Sequence, residues 1–126
     1  MTKVGGTVID VRTALLVEDN PAILAGLSEM LQQAGLHVVS CGHFQCARDY
    51  LHGRAPHVLV TDVRLGAFNG LHLLVLARKL APELPVIVYS AHDDPELRRE
   101  AESFGAVYLE KDRLLTDLLP RVLAIA

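Results

Sequence analysis

The chain has 126 residues, of which 51% are hydrophobic and 21% charged, with a formal net charge of −3. That length suits one domain with a sizeable core, and apolar content near half with moderate charge excludes a disordered polar chain. The charge balance lacks the basic footprint that duplex binding needs, and no apolar run approaches the roughly 20 residues of a membrane-spanning helix, so neither nucleic acid nor membrane is expected as a direct partner.

The two cysteines, Cys41 and Cys46, are too few for a disulfide framework, and no signal-like apolar segment follows Met1. A reducing cytoplasm is the expected compartment. The six histidines are scattered, and none pairs with the cysteines at a zinc spacing, so they read as surface or boundary residues.

Residues 1–12, with Gly5-Gly6 and a weak Val8-Ile9 core, suit either a flexible tail or a short extension of the first strand. Ala14-Leu15-Leu16-Val17 is a fully apolar run that ends on Glu18-Asp19, as expected of a strand buried on both faces. Asn20-Pro21 supplies an N-cap and a first-turn proline. Ile23, Leu24, Leu27, Met30 and Leu31 then carry a helix to about Ala34, closed by Gly35. Leu36–Ser40 is a less apolar strand suited to a sheet edge, and Phe44, Ala47 and Leu51 give helical spacing over 43–52.

Val58-Leu59-Val60-Thr61-Asp62 is the third strand, apolar until it stops on a carboxylate. After a loop, Gly70–Leu80 reads as a helix ended by Ala81-Pro82, and Pro85–Ser90 as a strand finishing on a hydroxyl. Asp94-Pro95 repeats the cap-plus-proline signal before a polar helix, Glu96–Phe104, closed by Gly105. Ala106–Leu109 is a fifth strand, followed by Glu110-Lys111. Asp112 is positioned to cap a last helix from Arg113, which Pro120 should kink or divide.

Five strands alternating with five helices through short connections predict an α/β fold: one flavodoxin-like three-layer domain over 13–126 with a five-stranded parallel sheet. The most apolar strands, the first, third and fourth, should be central, which gives the order 2-1-3-4-5. Ligands of such sheets bind at the carboxyl ends of the strands. There this chain places Glu18-Asp19, Asp62, Ser90 and Lys111.

Taken singly, each of these residues suits a cap, a turn or a solvated amine. Together, three converging carboxylates repel one another unless a cation compensates, and an all-oxygen site with room for water suits Mg²⁺. Lys111 would add a compact positive charge and Ser90 a donor hydroxyl. Carboxylate, metal, amine and hydroxyl form equipment for phosphoryl transfer, with Asp62 as candidate nucleophile.

On these residues the chain resembles the receiver domains of two-component response regulators over about residues 13 to 126. The matching positions are Glu18-Asp19, Asp62, Ser90 with Ala91, Tyr108 and Lys111. The resemblance implies phosphoryl transfer to Asp62 from a phosphohistidine on a sensor histidine kinase or phosphotransfer protein, with Ser90 and Lys111 assisting. It implies Mg²⁺ held by Asp19, Asp62 and the main-chain carbonyl of Arg64, with Glu18 acting through the metal's water shell. It further implies a switch in which Ser90 turns toward the new phosphoryl group and Tyr108 moves inward, read by an output domain or downstream protein at helix 4, strand 5 and helix 5, where Arg98, Arg99, Arg113, Asp117 and Arg121 lie. A second copy of the chain is a further candidate partner. Beyond self-phosphorylation and autodephosphorylation no enzyme activity is implied.

The chain departs from the family pattern at four places. Gly66 replaces a usual proline, which predicts a more mobile acceptor loop. Arg64 sets a long cation beside Asp62 and bears on the lifetime of the acyl phosphate. Asp112 replaces the usual proline after the lysine, which leaves Lys111 less firmly placed, and Pro120 makes the last helix an atypical dimer surface. The second reading is a receiver-like docking module that works without phosphorylation. A small aspartate phosphatase lacks its second aspartate, because Arg64 stands there, and a flavin binder lacks a phosphate-cradling loop after the first strand.

Overall fold

Strands that are apolar at every position must be covered on both faces. β1 (Thr13–Val17), β3 (Val58–Asp62) and β4 (Val86–Ser90) are buried almost throughout, while β2 (His37–Cys41) and β5 (Val107–Glu110) are partly open. The computed structural model pairs them in parallel in the order β2-β1-β3-β4-β5, so the two weaker strands are the edges, as the sequence predicts. The structure describes residues 2–4, 7–9, 12–65, 68–91 and 93–125. Gly66 and the Gly5-Gly6 pair lie outside them.

Helices α1 (Pro21–Gln33), α2 (Phe44–Gly53), α3 (Gly70–Leu80), α4 (Pro95–Ser103) and α5 (Leu114–Ala124) cover the sheet. Strand side chains alternate between the two faces. Ala14, Leu16, Val58, Val60, Ile87, Tyr89 and Leu109 pack with α1 and α5 through Leu27, Leu31, Leu114, Leu118 and Val122. Leu15, Val17, Leu59, Val86, Val88 and Tyr108 pack on the other face with Ala47, Leu51, Leu73, Leu74, Ala77 and Ala101 of α2, α3 and α4.

The predicted helix signals act as expected. The Asn20 side chain accepts from the N–H groups of Ala22 and Ile23 at 3.0 and 3.1 Å, and Asp94 accepts from those of Glu96 and Leu97 at 3.1 and 3.2 Å. Gly35 and Gly105, at φ of 94° and 77°, close α1 and α4 in the left-handed region open to glycine.

Four local expectations change. Pro120 lies inside α5 without dividing it, because the helix is held along its length by buried Leu114, Leu118 and Val122. Asp112 does not cap α5, since it falls inside a 3₁₀ turn over Lys111–Arg113; the N-cap position is Arg113, which makes no side-chain cap hydrogen bond. The loop after Asp62 contains a short antiparallel ribbon pairing Arg64 with Asn69 and Leu65 with Phe68. Cys41 and Cys46 are joined by a disulfide, because the end of β2 and the first turn of α2 bring their Cα atoms to 5.6 Å. Residues 2–4 and 7–9 pair as a small antiparallel hairpin separate from the main sheet.

Leu59 sits at the centre of the middle strand and is fully buried. Leu59→Ala is expected to destabilise the fold by about 2–5 kcal/mol through lost transfer energy and a residual cavity. Urea unfolding should show a lower midpoint with an unchanged slope, and an unchanged midpoint would contradict this packing.

Candidate functional site

The alternation that builds the core also sorts the chemistry at the carboxyl edge. Continuing each strand by its two-residue period sends Glu18 with Leu16, Asp62 with Val60, Tyr89 with Ile87 and Lys111 with Leu109, all toward α1 and α5. Ser90 continues Val86 and Val88, and Tyr108 continues Ala106, so both fall on the α4 side. The edge therefore carries an ionic cluster on one side of the sheet and a hydroxyl with an aromatic ring on the other.

One oxygen each from Glu18, Asp19 and Asp62 lies within 4.8 Å of the others, with Glu18 and Asp62 buried and Asp19 exposed. The Lys111 ammonium donates to Asp62 Oδ2 at 2.8 Å and sits 3.0 Å from Glu18 Oε1. The Tyr89 hydroxyl donates to the same Glu18 oxygen at 3.0 Å, and the Asn20 N–H to Glu18 Oε2 at 2.9 Å. Asp62 Oδ1 accepts the Arg64 N–H at 3.2 Å. Three carboxylates against one ammonium leave a formal excess of two negative charges, the deficit that one divalent cation fills. A hard, oxygen-seeking ion fits this donor set, which has no sulfur or imidazole.

Burial acts on the two inner carboxylates with opposite results. For Asp62 desolvation prevails over the favourable Lys111 and Arg64 contacts, and the nearby Glu18 charge adds to it, so the carboxyl is raised above its ordinary range. Glu18 is also desolvated, but the Asn20 N–H, Lys111 and Tyr89 together outweigh that and hold it below its ordinary value. Lys111 is held above its ordinary value because its two carboxylates outweigh its own desolvation. The Tyr89 phenol, buried and facing this negative charge, is pushed far up and stays protonated as a donor.

Of the residues singled out in the sequence, Glu18, Asp19, Asp62 and Lys111 are brought together directly. Lys111 is firmly placed despite Asp112, because two carboxylates hold it. Arg64 contributes its main-chain N–H while its side chain is exposed. Ser90 is buried at the end of β4, next to Tyr89, the residue paired with Asp62 across the sheet. Tyr108 is buried, with the Arg98 guanidinium of α4 stacked 4.5 Å from its ring centroid and 3.7 Å from Glu110. Arg113 pairs instead along its own helix with Asp117 at 3.0 Å. Two site residues escaped the sequence reading: Asn20, taken only as a cap, and Tyr89, taken only as a strand residue. The strand period was the available signal for Tyr89, since it assigns that position to the side of Asp62.

Residues 14–122 match the family described as the response regulator receiver domain. The DNA-binding transcriptional regulator NtrC of Klebsiella pneumoniae is 35% identical over 102 residues, which are 78% of this chain and 21% of that protein; this chain thus spans about a fifth of the length of its NtrC relatives. The BeF3-activated DrrB receiver domain superposes with a TM-score of 0.80 at 30% identity, covering 92% of this chain and 97% of that one. A CheY-like receiver domain protein from Methanospirillum hungatei superposes with a TM-score of 0.86 over 91% of this chain and 93% of that one, at 23% identity.

The raised carboxyl of Asp62 carries a stability sign. A carboxyl whose folded value exceeds its unfolded value of 3.8 costs stability once ionised, fully above the folded value and not at all below the unfolded one. Asp62→Asn is therefore expected to raise the urea midpoint at pH 7 in chelator-treated buffer, with the gain fading as pH falls below the ordinary carboxylate range. Equal midpoints for both proteins at pH 7 would contradict the assignment.

Proposed function

The chain belongs to the response regulator receiver domain family of two-component signalling, and from that premise we propose that Asp62 is its phosphoryl acceptor. The observation that carries this reading is the convergence of Asp62 with Glu18 and Asp19 within 4.8 Å, closed by Lys111 at 2.8 Å. An Asp62 oxygen attacks phosphorus of a phosphohistidine on a sensor kinase or phosphotransfer protein. The P–N bond breaks, its electron pair leaves with the imidazole, and an acyl phosphate remains on Asp62.

Asp19, Asp62 and the main-chain carbonyl of Arg64 would hold Mg²⁺, with Glu18 acting through its water shell. When bound, the ion neutralises charge on the phosphoryl oxygens. Lys111 supplies the second positive charge, and Ser90 the hydroxyl that donates to the phosphoryl group. Tyr89 and Asn20 keep Glu18 ionised and oriented.

The switch couples Ser90 and Tyr108, which share the α4 side of the sheet. Its readout face is α4, β5 and α5, presented to an output module, a downstream protein or a second copy of the chain. An apolar groove lined by Ile23, Gly26, Leu27, Leu114 and Leu115 opens beside Lys111 and offers contact to the phosphohistidine carrier. Residues 13–126 form the receiver unit, with 1–12 appended, and the cytoplasm is its compartment. No helix among the described residues is long and apolar enough to cross a membrane.

Incubation of the purified chain with a small acyl-phosphate donor and Mg²⁺ should add one phosphoryl group by intact mass, and chelation should abolish it. Asp62→Asn should stay unlabelled; labelling of that variant would refute the acceptor. A wild type that stays unlabelled would favour a docking module that works without phosphate. Arg98→Ala should leave labelling intact while costing about 0.5–1 kcal/mol from the lost stacking on Tyr108. It should also shift the Tyr108 ring resonances, and an unchanged Tyr108 spectrum would remove Arg98 from the switch.

A further inference from the structure

We propose that Cys41 and Cys46 form a reversible two-electron redox site that sets how firmly Glu18 is anchored. Cys41 is the last residue of β2 and fully buried; Cys46 lies in the first turn of α2, half-buried, and the two are joined across the four residues Gly42 to Gln45. Cys41 pairs in register with Val17, and its carbonyl accepts the Glu18 N–H at 3.0 Å. Glu18 in turn carries Tyr89, Lys111 and the Asn20 N–H. A single main-chain hydrogen bond thus separates the disulfide from the acidic cluster.

Two features make the pair reactive rather than a fixed staple. The Cys46 sulfur lies in the first turn of a ten-residue helix, where the positive end of the helix dipole favours a thiolate. The main chain there is already capped, since His43 Nδ1 accepts the Cys46 N–H at 3.2 Å, so the turn keeps its start when the sulfur bond opens. In the reducing compartment proposed above, a disulfide acts as a transient, redox-sensing bond rather than as a permanent crosslink.

The oxidant is a low-molecular-weight disulfide, RSSR, of the glutathione class. The Cys46 thiolate attacks one sulfur, and RS⁻ leaves, forming a mixed disulfide. The Cys41 thiol then attacks the Cys46 sulfur, the second RS⁻ leaves, and the two released thiolates take up the protein's two protons. The sum is two thiols and RSSR giving the Cys41–Cys46 bond and two RSH. Reduction frees the Gly42-His43 connection, loosens the Cys41 carbonyl and so weakens the hold on the Glu18 main chain. The effect on metal affinity rests on the Mg²⁺ reading above, whereas the effect on the Glu18 amide does not.

The test uses the full chain equilibrated in reduced and oxidised glutathione mixtures, with thiols trapped by alkylation and counted by intact mass, and Glu18 amide hydrogen exchange followed in the same samples. The expected result is one transition in which both thiols change together, with Glu18 exchange at least about fivefold faster in the reduced protein, the low end of ordinary site coupling. Cys46→Ser should exchange like the reduced protein in every mixture. A bond that persists in fully reduced glutathione, thiols that never pair in oxidised glutathione, or Glu18 exchange equal in both states would each overturn the proposal. Mg²⁺ titration of the two states should show tighter binding when oxidised. Binding in neither state would sink the metal reading while the exchange data still decide the redox site.

Discussion

The arrangement depends on one ammonium shared by two carboxylates from different strands. Glu18 and Asp62 are desolvated groups of like charge, and the Lys111 ammonium in contact with both offsets part of the cost of burying them. Lys111 comes from a third strand end and links the ends of β1, β3 and β5 through its two carboxylates. The compensation is incomplete, since Asp19 adds a further negative charge with no ammonium of its own in the cluster. The same shortage that makes the cluster costly makes it receptive to a hard cation.

Asymmetry between the two buried carboxylates follows from their donors. Glu18 receives a phenol, a main-chain N–H and the ammonium, and stays ionised. Asp62 has the ammonium and one main-chain N–H, so burial wins and its charge is held at higher energy. A group in that state gains most from a metal ion or from bonding to an electrophile. The difference between the two carboxylates is thus set by how many donors each has, not by their chemistry, which is the same.

Much of this was legible in the sequence because it rests on local rules. Apolar runs ending on Asp62 and Val17, proline after Asn20 and Asp94, and glycine at 35 and 105 each fix a boundary without knowledge of the rest, and the gradation of apolar content orders the sheet. The exceptions are contacts made across the sheet or between elements. Tyr89 carried no motif, and its hydroxyl matters only because β1 brings Glu18 opposite it. Cys41 and Cys46 looked like two isolated thiols until the β2–α2 turn brought them together. Pro120 read as a point of kinking or division, and the helix runs on through it because three buried side chains of α5 outweigh one missing hydrogen bond. Asp112 read as a cap, but the tight turn after β5 takes it up, and α5 starts after Arg113 without a side-chain cap.

Adjacent residues of β4 face opposite ways: Tyr89 toward the ammonium, Ser90 toward the sheet face that also carries Val88 and Tyr108. One backbone step therefore separates the phenol that faces the charged cluster from the hydroxyl on the other side of the sheet. Loss or gain of a single codon within residues 86–90 would exchange phenol and alcohol while leaving the strand's hydrophobic character nearly intact. The register of β4 is thus what keeps the phenol with the carboxylates and the hydroxyl on the opposite face of the sheet.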